Sequence, residues 1–380
     1  MAISDTRAWV EVDLDALRAN YDTVRRTAGT AVLPMVKADG YGVGAARVIR
    51  ALEPRDPWGY GVATAAEGAE LRELGVERPI LVMSPLPAGD VEAAAAAGLT
   101  ASISSLAGLD AWARAAEAVD DGLDFHVEID TGMGRSGFDW RRIGAWGPAV
   151  RDRTGPALRW AGVFTHFHSA DASAPDATVR QWERFGESLV QLPVPERAMV
   201  HASASAAALR WPEYRLDAVR PGIFLYGGDP APGVEAVPKP EPVVAVRARL
   251  LLVRTVPAGS TVGYGATYTA GSDERWGTLA IGYGDGVPRA LGNRGRALVR
   301  GRRVPIIGRV SMDLITVRLD DVPEAAPGDV VTLIGRDGEE TITVDDVAGQ
   351  VGTIGYEVLT GLSPRLPRFA RGSTEESETA

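Results

Sequence analysis

The 380-residue chain is long enough for a large core and for two domains, with the 45% apolar and 24% charged content of a globular protein. A formal charge of −10 argues against a nucleic-acid partner, and the absence of cysteine removes disulfides and thiolate metal sites. The four histidines, His126, His166, His168 and His201, lack metal-binding spacing, and neither an apolar leader nor a bilayer-length run is present, so a cytoplasmic enzyme without metal or membrane partner is expected.

Trp9-Val10-Glu11-Val12 alternates like a strand, and Asp13 then caps a helix with Leu14, Leu17, Tyr21 and Val24 on one face. Short apolar strands follow at 31–36, 58–63, 79–83, 99–103, 123–129, 159–165, 197–202 and 216–225. Amphipathic helices, such as 65–74, 89–97, 105–119 and 177–191, separate them. Eight strands joined by helices predict parallel pairing, and closure into a (β/α)8 barrel leaves no exposed edge. An open doubly wound sheet is the competitor, but no Gly-x-Gly-x-x-Gly follows the first strand. Polar residues gather where a barrel places its chemistry, at strand ends: Lys37, Asp130 and Arg135, His166, His201 with Ser203 and Ser205, and Arg220 with Gly222.

Residues 227–242 are a proline-stiffened linker. Beyond it, 243–256, 276–283, 297–307, 314–319, 329–334 and 340–344 read as strands between glycine turns, with a short helix at 345–351. The expected domains are 1–235, a barrel, and 236–370, a mostly-β domain; the first strand, about 8–12, is a candidate for packing with the latter. The tail 371–380 has little to bury and is expected to be disordered.

Lys37, in Val36-Lys37-Ala38-Asp39-Gly40-Tyr41-Gly42, is one of only two lysines in an arginine-rich chain; the other is Lys239. An amine can lose its proton and attack a carbonyl carbon, which arginine cannot do. On position alone, Lys37 could equally be a surface lysine at a turn.

The segment around Lys37 resembles the cofactor-lysine motif of the alanine racemases, which use pyridoxal 5'-phosphate (PLP) on a fold-type-III barrel. The resemblance continues through Asp130-Thr131-Gly132-Met133-Gly134-Arg135, Thr165-His166-Phe167 and Val219-Arg220-Pro221-Gly222-Ile223. It extends to Tyr264-Gly265-Ala266-Thr267-Tyr268, Ile281 to Gly286, Arg309 to Asp313 and Gly355-Tyr356-Glu357, covering nearly the whole chain. It implies PLP-dependent interconversion of L- and D-alanine, supplying D-alanine for peptidoglycan.

By this resemblance Lys37 links to the cofactor aldehyde and serves as base on one face of the substrate, with Tyr264 as base on the other and His166 beside it. Tyr41, His166, Ser205, Gly222, Ile223 and Tyr356 would contact the cofactor, and Arg220 its pyridine nitrogen, supported by His201. Arg135 and Met312 would meet the substrate carboxylate, with Tyr283 and Asp313 nearby and Arg289 and Arg309 along the approach. Because Lys37 and Tyr264 lie in different domains, the resemblance implies a head-to-tail homodimer with shared active sites. Plainer readings stand beside these: Ser205 as a helix cap, Gly222 as a bend, Arg220 as a surface arginine, His201 as a buried, satisfied histidine, and Tyr264 as a half-buried strand aromatic.

Three features depart from the family. Glu128 stands where many members carry a carbamylated lysine that orients the arginine matching Arg135; Glu128 is expected to supply that negative charge directly, or else to pair with a surface arginine. Ala204 replaces the usual asparagine, and Ser311 and Gly284 stand at other variable points. A racemase of another small amino acid, such as serine, is therefore an alternative. A fold-type-III decarboxylase is disfavoured by Arg220, because such enzymes need a carboxylate at the ring nitrogen. A PLP carrier is disfavoured by the domain bearing Tyr264.

Overall fold

A computed structural model describes residues 3–235 and 237–372. Eight parallel strands run in the spatial order Ala31–Val32, Ala218–Arg220, Met199–Ala204, Leu158–Phe164, Leu123–Asp130, Thr100–Ile103, Ile80–Val82 and Tyr60–Val62. The two ends of this series meet: Trp58 N–H donates to Val32 O at 3.0 Å, Gly61 N–H to Pro34 O at 2.9 Å and Val36 N–H to Gly61 O at 2.8 Å. The sheet is thus closed, the (β/α)8 arrangement the sequence predicts, with helices outside. Tyr60–Val62, Ile80–Val82 and Thr100–Ile103 are buried at every position, as parallel strands covered on both faces should be.

Two expected strands are shorter than predicted, and proline explains both. Regular pairing from Ala31 stops at Val32 because Pro34 cannot donate to the ladder; Met35 then makes a single bridge to Gly61. The strand expected over 216–225 covers only Ala218–Arg220, since Pro221 breaks the ladder and Gly222 turns the chain into a 3₁₀ turn, Ile223–Tyr226. Helix boundaries follow side-chain chemistry. Asp13 caps Leu14–Ala28 by accepting Ala16 N–H at 2.8 Å. Thr64 and Glu67 form a reciprocal cap at the start of Ala65–Glu73.

The second sheet belongs to the β domain, where six strands close a ring: Val244–Val256, Glu274–Leu279, Ile315–Arg318, Arg302–Ile307, Arg296–Val299 and Val330–Asp337. The single strand expected at 297–307 is a hairpin, turned at Arg300 and Gly301, both with positive φ. The strand expected over 276–283 ends at Leu279, and Tyr283–Asp285 is a 3₁₀ turn. Helix Gly355–Thr360 and strand Arg368–Arg371 have no counterpart in the sequence reading. Arg371, assigned there to a disordered tail, is strand-bound and ion-pairs with Glu11 at 2.8 Å; residues 373–380 lie outside the described residues.

Ala8–Asp13 joins the second sheet rather than the barrel, antiparallel to Val244–Val256 and parallel to Arg368–Arg371. The linker is pinned as well. Buried Asn20 accepts Glu241 N–H at 2.7 Å and donates to Glu241 O at 2.9 Å.

Candidate active site

Lys37 begins a backbone turn of unusual hand. Ala38, Asp39, Gly40, Tyr41 and Gly42 have φ of 53°, 52°, 60°, 57° and 81°. Left-handed conformation costs about 1–2 kcal/mol for each L-residue, and three of these five are not glycine. Local bonds hold the turn: Gly40 N–H to Val36 O and Gly42 N–H to Ala38 O, both 2.8 Å, and Ala45 N–H to Asp39 Oδ1 at 2.7 Å. Two distant side chains add to them. Glu67 Oε1 accepts Ala38 N–H at 2.7 Å, and Arg368 donates to Gly42 O from Nε at 3.2 Å and Nη2 at 3.1 Å.

The turn aims Lys37 into a cavity of about 130 Å³ at the C-terminal ends of the barrel strands, lined also by Glu128, Arg135, His166 and Arg220. Burial and the Arg135 guanidinium lower the Lys37 amine from its ordinary value; Glu67 opposes this, and Arg220 adds to the lowering. The amine thereby gives up its proton more readily than a free lysine does.

Hydroxyls gather at one end of the cavity. Ser205 Oγ accepts Gly222 N–H at 2.9 Å, and Tyr356 lies 6.0 Å from Tyr41, ring centre to ring centre. Tyr41 stacks on Tyr226 at 4.4 Å, and Tyr226 donates to Met35 O at 2.8 Å. A side chain at 222 would place Cβ 2.1 Å from the Tyr41 hydroxyl, so this position requires glycine. Ile223, fully buried, opens the 3₁₀ turn next to it.

Arg220 is buried and held from behind. It donates to His201 Nδ1 at 2.7 Å, to Thr165 O and Ala202 O, each at 3.0 Å, and faces His166 Nδ1 at 3.3 Å. Burial lowers its pKa to about 10, Glu128 opposing and Arg135 adding, so it remains a cation at neutral pH. Guanidinium cannot accept, so His201 Nδ1 must be bare and its proton must sit on Nε2. That N–H points to His126 Nδ1 at 2.8 Å, which places the His126 proton on Nε2, an atom without a partner among the described residues. Burial and Arg220 drive all three histidines toward the neutral form: His126 and His166 fall to about 3, and His201 well below its usual value.

Glu128, buried, accepts hydrogen bonds from Ser104 at 3.0 Å and Ser136 at 2.9 Å. Its hydrogen bonds go to these two hydroxyls, and its carboxylate shares the cavity wall with Arg135 and Arg220. Ala204 lines the same cavity.

The remaining candidates are elsewhere. Tyr264, Met312 and Tyr283 are 71%, 52% and 41% exposed, and none lines the Lys37 cavity. Asp313 pairs with Arg365 at 2.7 Å, Arg309 lies against Gly265, and Arg289 opens the turn Arg289–Leu291. One chain therefore assembles the barrel residues together with Tyr356 of the β domain, but leaves Tyr264, Tyr283, Met312, Asp313, Arg289 and Arg309 outside the cavity. Sequence reading missed Glu67 and His126. Glu67 is visible as the fourth residue of Thr-x-x-Glu, and His126 by strand parity, two residues before Glu128 on the same face.

The groups present suit PLP: an amine poised to deprotonate, hydroxyls around an obligatory glycine where a phosphate could sit, and a cation facing the interior. Residues 12–230 match the family model for the alanine racemase N-terminal domain, and residues 243–370 that for its C-terminal domain. An alanine racemase of Symbiobacterium thermophilum is 39% identical over 370 residues, covering 96% of this chain and 97% of that one. The crystal structure of alanine racemase from Bacillus anthracis with bound L-Ala-P superposes with a TM-score of 0.89 at 33% identity, covering 96% of this chain and 95% of that one. Alanine racemase from Bartonella henselae with covalently bound pyridoxal phosphate gives 0.88 at 28% identity, covering 96% and 100%.

Proposed function

The chain belongs to the alanine racemase family, and from that premise we propose that it interconverts L- and D-alanine by two proton transfers at Cα, Lys37 acting on one face and Tyr264 of the partner subunit on the other. The single observation that carries this reading is the Lys37 amine, lowered from its usual pKa by burial and Arg135 and aimed into a cavity that also holds Arg220 and His166. PLP would join Lys37, with Tyr41, Ser205, Gly222, Ile223 and Tyr356 around its phosphate and Arg220 at its ring nitrogen. Bound there, PLP supplies the electron-accepting ring that makes the alanine α-hydrogen acidic.

Arg220 keeps its own proton, so it offers the ring nitrogen a hydrogen bond without handing over a proton. His201 and the two backbone carbonyls hold its guanidinium in one orientation. His166, kept neutral by burial and by Arg220, can accept or donate beside Arg220 without adding another positive charge. Arg135 would take the substrate carboxylate, and Lys37 holds or releases a proton according to its lowered affinity. Tyr264, Tyr283 and Met312 would complete the site from a second copy's β domain, with Asp313 held by Arg365 and with Arg289 and Arg309 along the approach, attracting carboxylates.

Ala204 in the cavity wall favours a second reading, a racemase of a slightly larger amino acid such as serine. Incubating the PLP-loaded protein with single L-amino acids in deuterium oxide separates the two. Exchange of the α-hydrogen with loss of optical rotation is expected to be fastest for alanine. Faster exchange with serine would transfer the assignment, and release of carbon dioxide would overturn the reaction class.

Glu128 places a negative charge beside Arg220, in the cavity it shares with Arg135 and Lys37. Removing one such charge interaction, worth roughly 1.4 kcal/mol in a partly screened site, corresponds to about a tenfold fall in turnover for Glu128→Gln. Unaltered turnover would remove this role.

A further inference from the structure

The left-handed turn after Lys37 needs something outside itself to keep it. Its own hydrogen bonds, such as Gly40 N–H to Val36 O, are local. Glu67 reaches it from another part of the barrel. Oε1 accepts the N–H of Ala38, the residue next to Lys37 and the first of the left-handed run, at 2.7 Å. Oε2 accepts Ala63 N–H at 2.7 Å and Thr64 N–H at 3.3 Å, just past strand Tyr60–Val62. That strand is the neighbour of the segment leading to Lys37, across the seam that closes the barrel. One carboxylate therefore ties together the ends of two adjacent strands at the lysine.

Capping alone does not explain this geometry. A reciprocal cap with Thr64 uses Oε2 and the Thr64 hydroxyl, which accepts Glu67 N–H at 3.2 Å. It makes no demand on Oε1, yet Oε1 is committed to an N–H 29 residues away in sequence. We propose that Glu67 is a positioning residue for Lys37, its carboxylate fixing the strained turn that aims the amine into the cavity.

The anion also bears on the amine's charge. Burial, Arg135 and Arg220 all push Lys37 toward neutrality, and Glu67 is the group that opposes them. Glu67→Gln is nearly isosteric, but its amide nitrogen cannot accept from either strand end and carries no charge. It therefore releases one end of the tie and removes the opposing anion together.

The proposal rests on Lys37 as the cofactor lysine, and the test separates the two. The apoprotein is acetylated competitively with acetic anhydride across a pH series and read by peptide mass spectrometry. The chain's only other lysine, Lys239, paired with Asp229 at 2.6 Å, serves as the internal reference. In Glu67→Gln the pH midpoint of Lys37 labelling is expected to move down while that of Lys239 stays, and PLP affinity is expected to fall about tenfold. Thr64→Ala removes the cap hydroxyl and leaves the Glu67 to Ala38 bond. It is expected to lower the melting temperature without moving either Lys37 readout.

If Glu67→Gln behaves as Thr64→Ala does, Glu67 is only a cap and the proposal falls. Should Glu67→Gln not fold, Glu67→Asp carries the test: it keeps the charge but cannot span both strand ends, so the labelling midpoint is expected to hold while PLP affinity falls, and unchanged affinity would overturn the proposal. If borohydride fixes no PLP to Lys37 in the wild-type protein, the cofactor reading fails, yet the apoprotein labelling still reports whether Glu67 sets the amine.

Discussion

Lys37→Ala and Tyr264→Ala proteins, each inactive alone, are expected to recover about a quarter of wild-type racemase activity when dissociated, mixed in equal amounts and reassociated. In the proposed reaction each single change removes one of two proton-transfer groups, and such groups contribute about 10²–10⁴ in rate. The recovery depends on where the residues lie. Lys37 faces the barrel cavity, whereas Tyr264 is 71% exposed and absent from the cavity wall of its own chain. Met312 and Tyr283 are large apolar side chains of the same domain that are also left in the open. In a head-to-tail pair, a mixed dimer has one site built from the intact Lys37 of one copy and the intact Tyr264 of the other. Its second site carries both changes. Random pairing makes about half of the dimers mixed, and half of their sites complete. Mixed dimers that form but show no activity would break the shared-site reading, and an active Tyr264→Ala protein would remove the phenol from the chemistry.

The second large effect is on stability in acid. The folded-state pKa of His126 and of His166 is about 3, and that of His201 is also depressed, because burial and Arg220 disfavour their charged forms. The unfolded chain binds these protons near pH 6.5, so it gains protons first as pH falls. Stability from this source is complete above about pH 6.5 and is lost progressively toward pH 3, at about 4 kcal/mol per pH unit for the three groups together. Urea unfolding of the apoprotein at fixed concentration between pH 7.5 and pH 5 measures the slope. A flat profile over that interval would mean that the histidines are already charged in the fold, and the Arg220–His201–His126 tautomer chain would be wrong.

The barrel was legible because short apolar strands buried on both faces, such as Ile80–Val82, alternate with amphipathic helices and are closed by turn residues. Boundaries failed where proline removed a donor inside an apolar stretch, at Pro34 and Pro221, since hydrophobicity continues where the ladder does not. The hairpin within 296–307 was merged although Arg300-Gly301-Arg302-Arg303 breaks the apolar pattern; that polar break with its glycine is the turn signal that the reading passed over. Within the site, Lys37 announced itself by scarcity in an arginine-rich chain. The left-handed turn that aims it did not, because Ala38 and Tyr41 carry no local preference for that conformation, and two of the groups that bond to it, Glu67 and Arg368, are far away in sequence. Glu128, singled out in the sequence as a source of negative charge, is buried in the cavity wall, and the hydroxyls of Ser104 and Ser136 that it accepts, 24 and 8 residues away, carried no signal in the sequence.

The placement of Ala8–Asp13 between Val244–Val256 and Arg368–Arg371 has a consequence for how this polypeptide is born. Strands from Ala31 to Arg220 can find one another while synthesis is under way, but Ala8–Asp13 gains its first flank only with Val244–Val256 and its second only with the later stretch Arg368–Arg371. That later stretch also delivers Arg368 to the carbonyl of Gly42. The loop beside Lys37 thus receives one of its clamps only once residue 368 has been made, and a nascent chain stalled before that residue holds every barrel strand yet lacks a finished lysine loop.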